Sequence, residues 1–542
     1  MKSSNNKIIQ FITESPFVVF FLWNIIGNGF VLYKEHYILS VLFILLFSLS
    51  LATVENIIYH YLPKFIAKIF FIIVGILYNI LIIVDIFLIS NFQNILNEDN
   101  LEILLETNID EAFSFVHTYI SIETVIVYAL FITFINSVFL LVNRLVYKII
   151  NIQSRIFHIS VIFVNCIFIL ILFFEIANKS FSFLHYSSLT RVSYSYHILK
   201  KRAELYNNLA QICINTKANK NNNSCPNIVV VIGESYSLYH SSVYGYKLPT
   251  NPRIQKLIND SVLIAFPNAI SFADHTSAVM FSVFSLKKNT ESNYNIPLFP
   301  AVFKAAGYSS FLYDNEYFIG TDGSFLSNGA ISSANFDYRN LKKYEYDDEM
   351  IDDIKVLDDY SLTIIHLMGQ HYEYRDRFPQ EFHHFSENNY DSNLSIEKRK
   401  MISDYDNATY YNDYVFNKIV EKYKEKDAVI LYFSDHGEEI YDENDFIGHG
   451  TALKSKNLKY QIRVPFYIWI STKFIDTREE IARKILRAKE YPISTYDVPH
   501  LLIDIANINT DYFEPSRSFI NEKYDKKQHR IIFHNIDYDA IK

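Results

Sequence analysis

Two carboxylates and an imidazole follow two apolar stretches that are far apart in the chain. Glu234 comes directly after the stretch at 227–233, and Asp435 and His436 come directly after the stretch at 428–434. Carboxylate and imidazole side chains are good ligands for a divalent ion such as zinc. If the two stretches are neighbouring parallel strands, Glu234, Asp435 and His436 converge on one point and form a metal site.

The segments that position these residues have the pattern of a buried sheet. The runs at 227–232 and 428–434 are rich in β-branched and other apolar residues, which is typical of strands buried on both faces. Similar runs at 308–313, 361–367 and 464–470 alternate with helix-like segments. We therefore predict an α/β domain with a mostly parallel sheet. Ligands of such sheets bind at the carboxyl ends of the strands, where Glu234 and Asp435 are expected.

Thr276 lies between the two strands in sequence, in the segment 271–281. We predict that it stands at the first turn of a helix, where exposed N–H groups favour a developing alkoxide and a bound phosphate. A threonine hydroxyl becomes a useful nucleophile when a metal lowers its pKa. Taken alone, a threonine at this position is more often an N-cap, so both interpretations remain open at this point.

Two further histidines and an acidic run also carry suitable groups. His371 follows the predicted strand at 361–367, and His449 lies in a short segment between two glycines. Taken singly, each fits a structural or surface histidine; beside a metal, each becomes a candidate to hold a phosphate or a second ion. The acidic run from Asp347 to Asp359 has irregular spacing, so we interpret it as a solvated face.

The first third of the chain is dominated by Ile, Leu, Phe and Val, and charged residues gather after about residue 190. Five apolar segments approach or exceed the roughly 17–25 residues that cross a bilayer. These segments lie at 16–33, 37–54, 66–90, 122–142 and 156–175. We predict a transmembrane domain at 1–178 with an external loop at 91–121, a bridging helix and linker at 179–225, and a catalytic domain at 226–542. Asp85 is costly in lipid and should face other helices or a polar cavity.

Basic residues set the predicted orientation in the membrane. Lysines precede the first segment and follow the second, and Arg144, Lys148 and Arg155 follow the fourth. All of these positions fall on one side if the N-terminus is cytoplasmic, and everything after residue 179 is then external.

The net charge of the chain is −9, and the sequence has no polybasic signature of nucleic-acid binding. Among the three cysteines, Cys213 and Cys225 could pair in an oxidising compartment, which the sequence leaves open.

Several ordered motifs carry a family resemblance. They are Gly233-Glu234-Ser235 and the segments 244–252, 366–371 and 434–439. Together they resemble the bacterial phosphoethanolamine transferases, a group within the alkaline-phosphatase/sulfatase superfamily that includes the mobile colistin resistance enzymes. The resemblance extends to the five-span membrane domain, where residues 106–112 look like the periplasmic loop motif of the family.

The resemblance implies roles for individual residues. It implies one or two zinc ions, with Glu234, Asp435 and His436 as ligands and Thr276 as a nucleophile that also contacts the metal. His371 and His449 match histidines that hold the phosphoryl group or a second zinc. In the loop motif, Asn108 and Glu111 are implied to bind the lipid substrate.

The implied protein is an inner-membrane phosphoethanolamine transferase with a periplasmic catalytic domain. Its donor would be phosphatidylethanolamine, and its acceptor a lipopolysaccharide (core sugar or lipid A) or a periplasmic glycan, with a covalent intermediate on Thr276. The motif forms at 366–371 and 434–439 look more like members that act on core sugars or glycans.

Three alternative functions are compatible with parts of the sequence. The main rival is a glycerophosphotransferase similar to lipoteichoic acid synthase, which would use phosphatidylglycerol and manganese. A soluble-type sulfatase is disfavoured because its Cys/Ser-x-Pro-x-Arg motif is missing from the sequence. A transporter or an inactive receptor is disfavoured by the sparse intramembrane charge and by the intact set of ligands.

Overall fold

The computed structural model describes most of the chain, in two compact units. The described residues are 16–33, 38–92, 94–98, 100–101, 104, 120–149, 155–178, 182–221, 225–287, 295–316, 328–357, 360–443, 445–450, 458–533 and 535–541. The first unit comprises Met1–Arg202 and the second Ala203–Lys542.

The first unit is helical. Its helices are α1 (Phe17–Gly29), α2 (Ile38–Tyr61), α3 (Lys64–Phe92), α4 (Ile122–Ile149), α5 (Arg155–Asn178) and α6 (Ser188–Ile214), the last of which continues into the second unit. By length and composition, α2, α3 and α4 each contain a stretch that is able to cross a membrane. Shorter apolar helical stretches, Phe17–Tyr33 and Ile162–Ile171, lie at the predicted first and fifth spans. The predicted helical membrane domain is therefore confirmed.

Polar side chains of this helical unit are paired with one another. As expected, Asp85 faces protein: it is 2% exposed, and its Oδ1 lies 3.3 Å from Arg191 Nη1. Glu55 accepts hydrogen bonds from Tyr78 Oη at 2.7 Å and from Asn24 Nδ2 at 2.9 Å. Because an unpaired polar group is costly in hydrocarbon, such contacts favour helix association inside a membrane.

The second unit is built on a seven-stranded sheet. Its strands are β2 (Asn227–Gly233), β3 (Leu263–Ala265), β5 (Ser309–Asp314), β6 (Tyr338–Arg339), β7 (Ser361–His366), β8 (Ala428–Ser434) and β11 (Phe466–Ile470). They lie side by side in the order β3-β11-β8-β2-β7-β5-β6. The remaining strands form two-stranded pairs: β1 (Asn219–Lys220) with β13 (Ile508–Asn509), β4 (Ala269–Ile270) with β12 (Ile493–Ser494), β9 (Glu439–Ile440) with β10 (Ile447–Gly448), and β14 (Ile531–Ile532) with β15 (Ile536–Asp537).

Helices cover both faces of this sheet. They are α7 (Pro252–Asn259), α8 (Thr276–Phe284), α9 (Phe299–Ala305), α10 (Gly329–Asn335), α11 (Asp347–Asp353), α12 (Ile396–Tyr423), α13 (Leu458–Ile462), α14 (Thr472–Thr477), α15 (Glu479–Arg487) and α16 (Val498–Ile505). Short 3₁₀ turns lie at Phe30–Tyr33, Ser182–Tyr186, Leu238–His240, Ser242–Tyr244, Tyr374–Arg377, Gln380–Phe382, Glu387–Asn389, Thr495–Asp497, Pro515–Arg517 and Tyr538–Ala540.

The central strand β2 divides the core into two halves. Ile228, Val230 and Ile232 belong to the core half that includes residues of α8 and α16, whereas Val229 and Val231 pack with residues of α12. All five side chains are at most 1% exposed. Burying an aliphatic side chain contributes about 1.5–3 kcal/mol to the stability of the fold. The strand is therefore held firmly in the core, and it positions the residues that follow it.

The predicted strands and the mostly parallel sheet are confirmed. Strand β11 runs antiparallel to both β8 and β3, and the other strands of the large sheet share one direction. Within the segment predicted as a linker, Asn219 and Lys220 pair with Asn509 and Ile508.

The three cysteines, all within the described residues, form no disulfide. Cys213 and Cys225, which could have paired, are not joined to each other, and Cys213 is buried.

Candidate metal and nucleophile site

The paired strands β2 and β8 bring the first candidate residues together. They run parallel with Gly233 opposite Ser434, so Glu234 and Asp435 leave the sheet side by side. Gly233 is required here because a Cβ atom at that position would lie 2.1 Å from the hydroxyl oxygen of Tyr432. The two strands are thus parallel neighbours, which is the arrangement that lets Glu234, Asp435 and His436 converge.

Glu234, Asp435 and His436 form one buried cluster. Each is 0% exposed, and one ligand atom from each lies within 4.8 Å of the others. His436 Nε2 is 3.3 Å from Asp435 Oδ2 and 3.4 Å from Glu234 Oε1. The other ring nitrogen of His436, Nδ1, lies 2.9 Å from the carbonyl oxygen of Gly437. An Nδ1–H donated to that carbonyl leaves the Nε2 lone pair facing the two carboxylates.

Thr276 completes the cluster. It is the first residue of α8, as predicted, and its hydroxyl donates to Glu234 Oε2 at 3.2 Å and lies 3.4 Å from His436 Nε2. The N-cap interpretation is wrong: His275 occupies the N-cap position, and the Thr276 hydroxyl is turned to the carboxylate. Because Thr276 is only partly buried, its hydroxyl is accessible to a substrate.

The distances in this cluster fit a tetrahedral metal ion. Zinc bonds of about 2.0–2.1 Å in a tetrahedron place neighbouring ligand atoms about 3.3–3.4 Å apart. The three contacts of His436 Nε2 agree with this spacing: 3.4 Å to Glu234 Oε1, 3.3 Å to Asp435 Oδ2 and 3.4 Å to the Thr276 hydroxyl. In addition, Asp435 Oδ2 is buried and accepts no hydrogen bond from the described residues. Such an atom is costly unless a cation binds it, so these residues fit a metal ion.

Burial controls the electrostatics of the cluster. Burial and the nearby Asp435 carboxylate raise the pKa of Glu234 to about 8. Burial also raises the pKa of Asp435 to about 6. Burial, together with the charge of His449, lowers the pKa of His436 to about 4. His436 is therefore a neutral imidazole at neutral pH, which is the form that binds metals.

His449 stands beside this cluster. Its ring centroid is 4.2 Å from that of His436, and its Nδ1 lies 2.7 Å from Glu438 Oε2. Burial opposes a positive charge, but the Glu438 carboxylate raises the pKa of His449 to about 9. Tyr374 holds the other oxygen of Glu438 through a 2.6 Å hydrogen bond. With 31% of its side chain exposed, His449 is a cation that a substrate can reach.

The remaining predicted site residues are His371, Asn108 and Glu111. His371 follows β7 and is a neutral imidazole, because burial and then the charge of Arg377 hold its pKa well below the usual value. Asn108 and Glu111 lie outside the described residues.

A neighbouring charged cluster was missed by the sequence analysis. Glu316 follows β5, and His366 is the last residue of β7. His366 Nε2 lies 2.9 Å from Glu316 Oε2, and its Nδ1 lies 3.0 Å from Asp314 Oδ1. Arg339 contacts the other oxygen of Asp314 at 3.1 Å. The signal was the one that revealed Glu234, because both residues stand at carboxyl ends of predicted parallel strands.

The acidic run requires a correction. It was predicted to be a solvated face, but Asp347 is only 5% exposed. Its carboxylate accepts the backbone N–H groups of Met368 and Gly369, each at 2.9 Å, and thereby holds the loop that precedes His371. Glu349, Asp352 and Asp353 of the same helix are exposed, as predicted.

Comparison with known proteins identifies the family to which the second unit is similar. The family profile of the sulfatases matches residues 226–508. The chain belongs to the sulfatase family. The family resemblance inferred from the motifs is thus confirmed, and the metal-ligand cluster lies inside the sulfatase region.

Individual relatives agree with this assignment. The phosphoethanolamine transferase EptC of Escherichia coli O18:K1:H7 is 28% identical in an alignment of 337 positions that covers 58% of this chain and 57% of that protein. The chain therefore spans a little over half the length of this relative in the alignment. The zinc complex of the C-terminal periplasmic domain of EptC from Escherichia coli is 25% identical, with a TM-score of 0.54, and covers 60% of this chain and 96% of that domain.

The fold likeness extends beyond the sulfatase domain. The integral membrane lipooligosaccharide phosphoethanolamine transferase A (EptA) of Neisseria meningitidis has a TM-score of 0.57 and covers 93% of this chain and 97% of its own. At 15% identity, this likeness concerns the fold alone.

Proposed function

We propose that this protein is a metal-dependent phosphoethanolamine transferase of a bacterial inner membrane. It moves phosphoethanolamine from phosphatidylethanolamine to a lipopolysaccharide or periplasmic glycan acceptor. The observation that carries this proposal is the Thr276 hydroxyl, which starts a helix and lies 3.2 Å from Glu234 Oε2 and 3.4 Å from His436 Nε2. The name of the EptC relative supports the choice of group transferred.

Glu234, Asp435, His436 and Thr276 would hold a zinc ion. When bound, zinc lowers the pKa of a hydroxyl ligand and neutralises charge that builds up on phosphoryl oxygens. The EptC domain that was solved with zinc supports this choice of metal.

The chain's own groups then serve two successive displacements. In the first, Thr276 Oγ1 gives up its proton and forms a bond to the donor phosphorus, while the bond from phosphorus to the glycerol oxygen breaks. Diacylglycerol leaves with one proton on that oxygen, and phosphoethanolamine stays on Thr276. In the second, an acceptor hydroxyl gives up its proton as its oxygen bonds to phosphorus, while the bond from phosphorus to Thr276 Oγ1 breaks and that oxygen takes up a proton.

Two features near Thr276 suit a phosphoryl group. Helix α8 is nine residues long, and the N–H groups of its first turn favour negative charge. His449 adds a reachable cation beside His436, held in place by Glu438. We propose that His449 holds the phosphoryl oxygens and that the neutral His371 supports the same group.

The membrane helices suit a lipid donor. Stretches in α2, α3 and α4 are long and apolar enough to cross a bilayer. We propose that residues 1–7, 61–68 and 143–155 are cytoplasmic and that 180–542 are periplasmic, as the basic residues indicate. Reporter fusions placed after residue 179 should give an external signal. A cytoplasmic signal would contradict both the compartment and the proposed substrates.

Mass spectrometry of the covalent adduct tests the function. The full-length protein is incubated with phosphatidylethanolamine and no acceptor, then digested. We expect phosphoethanolamine on the peptide that contains Thr276. Thr276→Ala should abolish the adduct, and the neighbouring Ser277→Ala, a matched control, should retain it. An adduct on Ser277 or Ser235 would contradict the assignment of the nucleophile.

The same experiment separates the alternative enzyme. A glycerophosphotransferase would carry glycerol phosphate on Thr276 when supplied with phosphatidylglycerol. Equal amounts of both lipids in one reaction therefore decide between the two donors. We expect phosphoethanolamine alone.

A further inference from the structure

Ser235 touches both carboxylates of the candidate metal cluster. Its hydroxyl donates to Glu234 Oε1 at 2.6 Å, and its backbone N–H donates to Asp435 Oδ1 at 3.1 Å. Glu234 is its neighbour in the chain, and Asp435 comes from the parallel strand β8. A single residue thus fixes one oxygen on each of two carboxylates that reach the site on different strands.

Ser235 fixes how the two carboxylates face the other ligands of the cluster. Asp435 Oδ1 also accepts the backbone N–H of His436 at 2.6 Å, so Asp435 Oδ2 is left toward His436 Nε2. Glu234 Oε1, which accepts the hydrogen bond from the Ser235 hydroxyl, lies 3.4 Å from His436 Nε2, and Glu234 Oε2 accepts from the Thr276 hydroxyl. Ser235 therefore determines the rotation at which the Glu234 carboxylate is presented to the cation.

The backbone at Ser235 is held in an uncommon conformation. Its φ of 55° lies in the left-handed region, which favours glycine over residues with a side chain. Tyr405 on α12 fixes this conformation: its hydroxyl donates to the Ser235 carbonyl oxygen at 2.6 Å and accepts the Ser237 N–H at 2.7 Å. A glycine would adopt this backbone with less strain but would lack the hydroxyl.

We propose that Ser235 is a positioning residue whose hydroxyl orients the Glu234 carboxylate for metal binding. The inference rests on the metal site within the proposed function and does not depend on which lipid or acceptor is used. Outer partners of metal ligands typically contribute about 10–100-fold to metal affinity. A side-chain hydroxyl that is retained despite an unfavourable φ fits this kind of role.

The test is zinc affinity of the full-length protein in detergent, measured by competition with a chelator. Ser235→Ala and Ser235→Gly should both bind zinc about 10–100-fold more weakly than wild type. Their thermal stabilities should differ, with the glycine variant melting at the higher temperature because φ is positive. Ser235→Thr restores a hydroxyl and should recover affinity while melting lower, because a β-branched residue is strained there.

Ser237→Ala is the matched control. Ser237 is equally buried and two residues away, but its hydroxyl has no hydrogen-bond partner among the described residues. This variant should keep wild-type zinc affinity. Wild-type affinity in Ser235→Ala, or an affinity that follows melting temperature across the variants, would overturn the proposal. A wild-type protein that binds no zinc would instead overturn the metal site itself.

Discussion

Two charged clusters lie at the same edge of the sheet and differ in how their charges are balanced. In the metal-ligand cluster, the contacts among Glu234, Asp435, His436 and Thr276 measure 3.2–3.4 Å. In the neighbouring cluster, His366 lies 2.9 Å from Glu316 and 3.0 Å from Asp314. In the first cluster, the three distances from His436 Nε2 match edges of a zinc tetrahedron, and the distances in the second are those of direct ion pairs.

The charges support this distinction. His366 meets a carboxylate oxygen at each ring nitrogen, as expected of a doubly protonated ring, and Arg339 supplies a second cation through Asp314. Two cations there balance the carboxylates of Asp314 and Glu316. In the metal-ligand cluster His436 is neutral, so Glu234 and Asp435 have no cation from the cluster itself. The metal-ligand cluster therefore has no cationic side chain of its own, which favours a divalent ion there, whereas the neighbouring cluster contains two cationic side chains.

The largest effect is expected for the nucleophile. Thr276→Ala should lower the transfer rate by about a thousandfold or more, since it removes the group that forms the covalent intermediate. Zinc should be retained, because three protein ligands are sufficient in many catalytic zinc sites. Transfer assays and elemental analysis on the same preparation check both statements. Normal turnover would rule out the covalent route.

Next in size is the loss of a metal ligand. Asp435→Asn keeps the shape of the side chain but removes its charge, so zinc affinity should fall by more than the about 10–100-fold typical of an outer partner. Chelator competition measures this change. If the variant binds zinc as tightly as wild type, the distinction between the two clusters fails.

In the neighbouring cluster of Asp314, Glu316 and His366, loss of a carboxylate should lower stability and leave zinc binding unchanged. Glu316→Gln leaves His366 with one carboxylate fewer in a buried position, which should reduce the free energy of unfolding by about 3–5 kcal/mol. Zinc content should stay unchanged. Denaturant unfolding and elemental analysis provide the two readouts, and a loss of zinc at constant stability would show that Glu316 is a ligand.

The smallest effect is the pH dependence of metal binding. In the metal-free protein, the pKa of Glu234 is about 8 and that of Asp435 about 6, both raised chiefly by burial. A raised carboxyl pKa means that protonation stabilises the folded state below the unfolded pKa, and this contribution is lost as the pH rises to about 8. Zinc must displace the proton from Glu234, so apparent affinity should rise about tenfold per pH unit up to pH 8. A flat profile between pH 6 and 8 would contradict these protonation states.

Much of the site was predictable because its ligands end apolar runs. Glu234 and Asp435 follow apolar runs whose composition predicts buried strands, and the parallel pairing of these strands brings the two carboxylates together. The reversed direction of β11 was not predictable, since a buried strand reads as an apolar run in either direction. The burial of Asp347 was also hidden, because its partners are N–H groups of a distant loop. Composition alone cannot reveal such partners.

Glu316 and His366 show a different limit. Their positions at strand ends were readable, but a histidine between carboxylates can serve as a ligand or as an ion-pair partner. Only the distances distinguish these roles, and distances come from the folded chain. The same is true of Ser235, whose two hydrogen bonds depend on a positive φ.

The cysteines have a consequence for how the protein can be made. Cys213 is buried and is not cross-linked to Cys225, so the fold described here contains no covalent bond between these two thiols. Thiol exchange, which takes seconds to hours, is therefore not a step toward this fold. Synthesis under reducing conditions should yield the same fold as export to an oxidising compartment.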